Sequence, residues 1–485
     1  MKKALLKDGR IIEYLPEKIG EGAMKDVYFT KDKESVLCFY KNHLGKTEAN
    51  HLSRLQNILN EFNPTLNNKK NANYWNQLFC WPTGIIIKPK LGVMTPVYPN
   101  NYFFSSGRWK GKEKKGRWFI SPKLRQYLPK KEQGTWINYF NISILLARAI
   151  SRLHLAGLAH SDLSDNNVLI DPKSGQMIII DIDSLVIPQI FKPDVDGTPG
   201  YIAPEVLATI TLSTNDPRKK LASIRTDQHA LAVLIYEYLL NRHPLRGPKI
   251  YSTRSAEEDE QLSMGSKALF IEHPYDISNR PQRNMTIPVT ALGSELTILF
   301  NKAFVSGLHS PYKRPSAYEW ERGLIKTWHK LYPCPNPNCT HHWFVVIPER
   351  KKIRCPFCYT AIKTPFPILT IHSQKRPGQW IQQGQLVIYH GQSLFKWHVF
   401  DNIFPSPDVD KTPQAYCVFH QGKWLLINQA LTSLVSPNGN RIDINKAVEL
   451  KAREKIRLSQ EAHGCVVEVS ILNRCETGKP IGGDE

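Results

Sequence analysis

The feature that most limits what this chain can fold into is the stretch Leu158 to Asp183, LAHSDLSDNNVLIDPKSGQMIIIDID. Three polar side chains punctuate it: Asp162, Asn167 five residues later, and Asp181 at the end of an apolar strand. The loop D-x-x-x-x-N lets a carboxylate and an amide oxygen converge. The hairpin after it, turning at Pro172 and Gly175, returns a second carboxylate to the same place. Phosphoryl transfer needs this set. One carboxylate orients the attacking hydroxyl and accepts its proton, while an amide oxygen and another carboxylate hold Mg²⁺ against nucleotide phosphates. Asp162 fits the first role, Asn167 and Asp181 the other two. A loop with chance acids is the plain alternative.

The stretch resembles the catalytic and metal-binding loops of eukaryotic-type protein kinases. That resemblance implies ATP and Mg²⁺ as cofactors and an α+β, bilobal, protein-kinase-like fold. Upstream, residues 11–41 read as a curled sheet whose first turn holds Gly20-Glu-Gly22-Ala-Met-Lys25-Asp-Val27. Glycines there let backbone amides approach phosphate; the segment resembles the kinase glycine-rich loop, with Val27 over the adenine. Lys25 stands where the third glycine belongs. The next strand ends Val36-Leu-Cys38-Phe-Tyr-Lys41, and Cys38 occupies the place of the V-A-I-K lysine. This double departure is similar to the WNK (with-no-lysine) kinases, where a glycine-loop lysine supplies the charge. Lys25 is therefore the expected phosphate lysine. Lys41 is the alternative, sharing a face with Cys38 only across a bulge.

Residues 46–62 predict an amphipathic helix with Leu52, Leu55 and Leu59 on one face. Glu48 lies on that face and is the expected partner of the phosphate lysine, unless it is an ordinary first-turn acid favoured by the helix dipole. NPTLNNKKNANY reads as a loop. Met94-Thr95-Pro-Val97 falls where a kinase hinge binds adenine. A helix is predicted over 135–155, with Ile142, Leu146, Ala149, Ile150 and Leu153 at helical spacing and Gly157 as its cap. Ser161 and Ser164 replace the family's catalytic-loop arginine and lysine. The first change implies activity independent of activation-loop phosphorylation, and the second leaves a transition-state role unassigned. Asp181-Ile-Asp183 replaces D-F-G, and Asp183 reads as a further metal ligand. Gly197-Thr-Pro-Gly-Tyr-Ile-Ala203-Pro204-Glu205 resembles the G-T-x-x-Y-x-A-P-E of active kinases. Asp227 matches the aspartate that braces the catalytic loop, and Arg314 the arginine that pairs with Glu205. The resemblance covers residues 10–331: an N-lobe and hinge over 10–100 and a C-lobe over 101–331.

The remaining third differs. Cys334-Pro-Asn-Pro-Asn-Cys339 and Cys355-Pro-Phe-Cys358 are two cysteine knuckles whose spacing suits a structural, tetrahedral Zn²⁺, and residues 332–363 read as a zinc ribbon. His341 and His342 read as strand residues. Over 365–485 short β patterns alternate with turns: QLVIYH, SLFKWHVF, QAYCVFH, KWLLINQ. The ending resembles an FHA (forkhead-associated) β-sandwich but lacks its phosphothreonine-reading positions. A kinase followed by these appendages resembles the bacterial kinases of TerY-type phosphorylation triads. That resemblance implies a role in tellurite resistance and stress, a von Willebrand A-domain protein as substrate, and a PP2C-type phosphatase as antagonist.

Charge leaves rival readings open. The chain of 485 residues carries a formal charge of +21, which attracts nucleic acid, anionic lipid or acidic protein. Residues 105–134 hold ten Lys or Arg against two Glu, with Trp109, Trp118, Phe119 and Tyr127 interleaved. That mixture suits a nucleic-acid-binding regulator or a solvated insertion. Nine cysteines, four of them clustered, suit a reducing, cytoplasmic setting. No stretch approaches the ~18 apolar residues of a membrane span. Cys38, Ser161 and Ser164 favour a pseudokinase scaffold; Asp162, Asn167 and Asp181 favour the enzyme.

Overall fold

The computed structural model describes every residue except 22–23, 42–47, 67–68, 188–189, 192, 194–195, 214–215, 283–286, 351 and 473–485, and the side chains of residues 48 and 69. It divides into two compact units. The first holds residues 1–134, 138–285 and 297–322; the second holds 135–137, 286–296 and 323–485.

The first unit begins with a closed barrel, ordered β1-β2-β3-β4-β6-β5. Its strands are β1 (Lys2–Leu6), β2 (Ile11–Glu21), β3 (Lys25–Thr30), β4 (Ser35–Tyr40), β5 (Gly84–Lys88) and β6 (Gly92–Pro96). The lobe therefore starts at Lys2 and not at residue 10. β1 pairs with both β2 and β5 and buries Ala4 and Leu6; its lysine-flanked sequence hides that alternation. Alternate residues of β4 and β6 face opposite ways. Leu37, Phe39 and Met94 fill the barrel with Tyr14 and Ile86. Tyr40, Val93, Ile85 and Leu91 pack outward against Leu55 of helix α1 (Glu48–Leu59). Gly92 is required at the β4 crossing, where a Cβ would lie 2.4 Å from the Cys38 carbonyl oxygen. The expected loop over NPTLNNKKNANY is in part a helix, α2 (Ala72–Leu78), stabilised by burial of Trp75 and Leu78 that lies beyond the polar run.

The second lobe is mainly helical. Helix α3 (Trp136–Leu155) buries Ile142, Leu146, Ala149, Ile150 and Leu153 completely, and Gly157 leaves it at φ +77°. Helix α4 (Ile224–Leu240) is capped by reciprocal Ser223 and Thr226 hydrogen bonds and is buried on every face from Asp227 onward, as a core helix must be. β7 (Val168–Asp171) and β8 (Gln176–Ile179) form a hairpin.

The basic stretch 105–134 is neither a solvated insertion nor a stacking platform throughout. Lys114 to Gly116 lies beside β7: Ile170 N–H donates to the Lys114 carbonyl and Gly116 N–H to that of Val168, each at 2.9 Å. A Cβ on Gly116 would meet the Tyr238 hydroxyl at 2.4 Å. Lys114 is buried between Glu132 and Asp171. Phe104 and Phe119 are fully buried and stacked, and Trp118 packs edge-on against Phe104. Phe104 and Phe119 are core, Trp109 and Trp118 are half-buried, and Tyr127 is exposed.

In the second unit, β9 (Leu331–Pro333) pairs with β10 (Trp343–Val345) beside the cysteines. Two four-stranded antiparallel sheets follow, one ordered β12-β11-β18-β17 and the other β13-β14-β15-β16. Their strands are β11 (Phe366–Arg376), β12 (Gln379–Val387), β13 (Ser393–Leu394), β14 (Ala415–His420), β15 (Lys423–Asn428), β16 (Ala447–Glu449), β17 (Lys455–Arg457) and β18 (Val466–Leu472). SLFKWHVF is not one strand: after Leu394 it turns into a short helix, because His398 Nδ1 accepts the Phe395 N–H at 3.0 Å.

Candidate active site

Strand register decides which lysine reaches the cleft. Residues directly opposite in an antiparallel pair share a face. Lys25 lies opposite Tyr40, Val27 opposite Cys38, and Cys38 opposite Val93. Lys25, Val27, Cys38 and Tyr40 thus form one surface. Lys25 Nζ reaches Asp181 Oδ1 at 2.6 Å and both oxygens of Asp183 at 2.9 Å. The Tyr40 hydroxyl donates to Asp183 Oδ2. Burial alone would lower the Lys25 pKa, but the carboxylates of Asp183 and Asp181 hold it well above the ordinary value. The Asp181 carboxyl keeps a large exposed surface, yet it is drawn below its ordinary value: partial desolvation raises it, and the Lys25 charge and hydrogen bond more than reverse that. Burial pushes the Cys38 thiol up to about 12, so it stays neutral.

Lys41 falls on the opposite face, without the bulge that the alternative needed. Its Nζ binds Glu21 at 2.9 Å and lies 4.0 Å from Asp26, so it does not join the site. Gly20 is an ordinary β2 residue opposite Val27, with room for a Cβ. Gly22 lies outside the described residues, and so does the Glu48 side chain. The buried side of α1 presents His51, Arg54, Leu55 and Ile58.

The hinge expectation shifts by a residue or more. Met94 points into the barrel, and its carbonyl accepts from Thr83 N–H at 2.8 Å. Thr95 lies opposite Val36, on the Cys38 face. Pro96 has no N–H, and that of Val97 donates to the Glu34 carbonyl at 3.0 Å. Met94 and Val97 are therefore turned away from the adenine role expected of them. The next residue, Tyr98, packs against a cluster of Cys80, Leu169, Ile178 and Ile180.

On the C-lobe side, Asp162 is held from three directions. Asn167 Nδ2 donates to its carbonyl at 2.8 Å and to Oδ2 at 2.9 Å, and the Thr198 hydroxyl donates to Oδ1 at 2.7 Å. Thr198 also lies 3.2 Å from the buried Ser164 Oγ. The donor half of Asn167 is thus occupied, and its amide oxygen has no donor among the described residues. Asp181 adopts a left-handed conformation at φ +62°, with its side chain 44% exposed. An amide oxygen and a carboxylate are hard donors of the kind a cation such as Mg²⁺ takes. Asp183 does not read as a further ligand, because Lys25 and Tyr40 occupy both its oxygens.

The loop is braced from below. Asp227 Oδ2 accepts the His160 N–H at 2.8 Å and lies 3.1 Å from His154 Nε2. Ser161, at φ +50°, donates its hydroxyl to the Ser184 carbonyl at 3.1 Å. Arg314 pairs with both oxygens of Glu205, at 2.8 and 2.7 Å. A small, partly open pocket lies between Asp162, Leu163 and the segment Gly197 to Val206.

In the second unit, Cys334, Cys339, Cys355 and Cys358 bring their Sγ atoms within 4.8 Å of one another. Cys334 lies 3.5 Å from Cys358, and Cys339 3.8 Å from Cys355. Four thiolates at ~2.3 Å from a tetrahedral Zn²⁺ lie about 3.8 Å apart, so the cluster fits zinc. His342 turns at φ +58° and His341 stacks on Phe357 at 3.6 Å; neither lies in a strand, because the tight turn after Cys339 reaches to Trp343.

Fold and site together define the class: a two-lobed, kinase-like fold with an acid, an amide and a second acid gathered beneath a barrel lysine. Residues 123–320 match the protein kinase domain family. The chain is 29% identical over 102 residues to serine/threonine-protein kinase WNG2 of Toxoplasma gondii. That alignment covers 21% of this chain and 18% of that protein, so the chain matches under a fifth of the relative's length. The Toxoplasma gondii specific rhoptry antigen kinase domain aligns with a TM-score of 0.41 at 12% identity, over 67% of this chain and 85% of that one. This chain carries a protein kinase domain.

Sequence reasoning missed Tyr40, Thr198, Tyr98, Leu169 and Ile180. Tyr40 had a signal: it is two residues from Cys38, hence on the same strand face. Leu169 lies within the hairpin that joins Asn167 to Asp181, and Ile180 just after it. Tyr98 was passed over because the hinge expectation stopped at Val97.

Proposed function

We propose that this chain is an ATP-dependent protein Ser/Thr kinase. The observation that carries the reading is Lys25 beside Asp181 in the cleft above Asp162 and Asn167. Asp162 is the base that takes the proton of the substrate hydroxyl. Asn167 and Asp181 hold Mg²⁺, which screens the phosphate charge when bound, and Lys25 clamps the phosphates. Thr198 keeps Asp162 aimed. Val27 and Thr95 line the nucleotide face of the barrel, and Leu169 the floor. A pseudokinase scaffold is disfavoured because Lys25 supplies the charge that Cys38 lacks.

The four cysteines hold a structural Zn²⁺ in a ribbon, and the two-sheet domain after it serves docking. The order kinase, cysteine cluster, β-domain supports a TerY-type phosphorylation system, with a von Willebrand A-domain protein as substrate and a PP2C-type phosphatase opposing it. No helix among the described residues is long and apolar enough to cross a membrane.

The test is transfer of labelled γ-phosphate from Mg-ATP to the chain itself, to a generic acceptor and to an A-domain protein. Label that is lost in Asp162→Ala and Lys25→Met but kept in Lys41→Met supports the assignment. Intact nucleotide binding with no label on any acceptor would establish the scaffold instead.

A further inference from the structure

We infer that Asp183 is the positioning residue for Lys25, taking the place of an acid from helix α1; this rests on the kinase reading above. A phosphate lysine needs a carboxylate that holds its ammonium in place yet stays with it when nucleotide binds. Asp181 cannot be that carboxylate, because a bound cation draws on its oxygens. Asp183 can. Both its oxygens lie 2.9 Å from Lys25 Nζ, and the Tyr40 hydroxyl fixes Oδ2. Its side chain is 5% exposed against 44% for Asp181. The turn that follows the left-handed Asp181, Ile182–Ser184, carries Asp183 back under the barrel, and buried Ile182 anchors it.

Charge counting gives the same division of labour. One ammonium between two carboxylates leaves a net negative site, ready for a divalent cation on the exposed carboxylate. Once Asp181 is so engaged, Lys25 and Asp183 remain a neutral, hydrogen-bonded pair. The described buried side of α1 offers His51 and Arg54 here, and no acid. Tyr40 lies 5.9 Å from the His51 ring, so the helix buttresses the tyrosine that orients the aspartate. The clamp is thus built from two strands and the metal loop.

The experiment is a double-mutant cycle on the full chain: wild type, Asp183→Asn, Lys25→Met and the double variant. Affinities for adenosine, ADP and ATP and the phosphotransfer kinetics are measured for each. Asp183→Asn should leave adenosine affinity unchanged, weaken ATP binding and lower kcat/KM by about 10-fold or more. In the Lys25→Met background the same substitution should produce no further loss. Tyr40→Phe, which keeps the ring and removes the orienting hydroxyl, should show the same nucleotide pattern in milder form. Additive losses, or an altered Mg²⁺ requirement in Asp183→Asn that persists without Lys25, would overturn the inference and make Asp183 a metal ligand. Melting temperatures of the four proteins test the pair apart from catalysis: coupled shifts support it, independent shifts refute it. A wild type that neither binds ATP nor transfers phosphate counts against the kinase reading and leaves that coupling test standing.

Discussion

Replacing Arg314 by Met removes a guanidinium whose side chain has no exposed surface and whose five N–H donors are all used. Nε donates to the Gly307 carbonyl at 3.0 Å, Nη1 to Glu205 at 2.8 Å and to the Arg225 carbonyl at 2.9 Å, and Nη2 to Glu205 at 2.7 Å and to the Leu308 carbonyl at 3.0 Å. Met fills part of the volume and satisfies none of the acceptors. Breaking a buried pair by removing one partner costs about 3–5 kcal/mol. Glu205 is 22% exposed, so water recovers some of its hydration, and the lower half of that range applies. At about 2–4 °C per kcal/mol for a domain of this order, the melting temperature should fall by roughly 6–16 °C. Glu205→Gln is the contrast. It keeps an oxygen for one Nη and leaves the three carbonyl bonds intact, so it should cost about 1–2 kcal/mol. Thermal melting followed by circular dichroism, alongside γ-phosphate transfer, reads both variants. Equal losses in the two, or a shift below about 2 °C in Arg314→Met, would refute the assignment of the stability to the arginine's full hydrogen-bond set.

Thr198→Val removes the hydroxyl on Asp162 Oδ1. It should lower kcat by about 10-fold or more with little change in the KM for ATP, measured by steady-state transfer. Burial raises Glu237 from 4.5 to about 8, against the lowering effect of the Tyr201 hydrogen bond. The folded state therefore binds the extra proton. The associated stability is full below pH about 4.5 and is lost as pH rises through about 8; denaturant melts across that window should show the decline, and Glu237→Gln should flatten it. Zinc analysis should find one ion per chain, released by a chelator with loss of stability in the second unit and absent in Cys355→Ser.

The polar geometry of the C-lobe was legible because its residues sit close in sequence or on periodic helices. Asp162 and Asn167 are five apart, and α3 declares itself by its apolar stripe. The cysteine knuckles were legible for the same reason. The barrel was legible as strands but not as a closed object. β1 gives two buried residues in a lysine-rich run, and closure depends on its pairing with β5, some eighty positions away. Lys25 was favoured through a family likeness, while its physical basis is the register Lys25 opposite Tyr40, which no periodicity announces. Asp183 was read beside the metal from proximity in sequence. What that reading lacked was Tyr40 and Lys25, both more than 140 positions away, which occupy its oxygens. The hinge was misplaced because Met94 and Thr95 alternate faces, and only the pairing with β4 says which one looks into the cleft.

The strand-like run beside β7 has a consequence for how the protein meets a protease. By composition, residues 105–134 are ten invitations to trypsin. Lys110 and Lys123 are exposed and should be nicked early. Lys114 and Lys115 have their backbone tied to β7 and Tyr102, and a cut there requires the floor under the cleft to open first. Timed digestion would therefore report the opening of the second lobe at two adjacent bonds, set within a stretch that otherwise reads as bait.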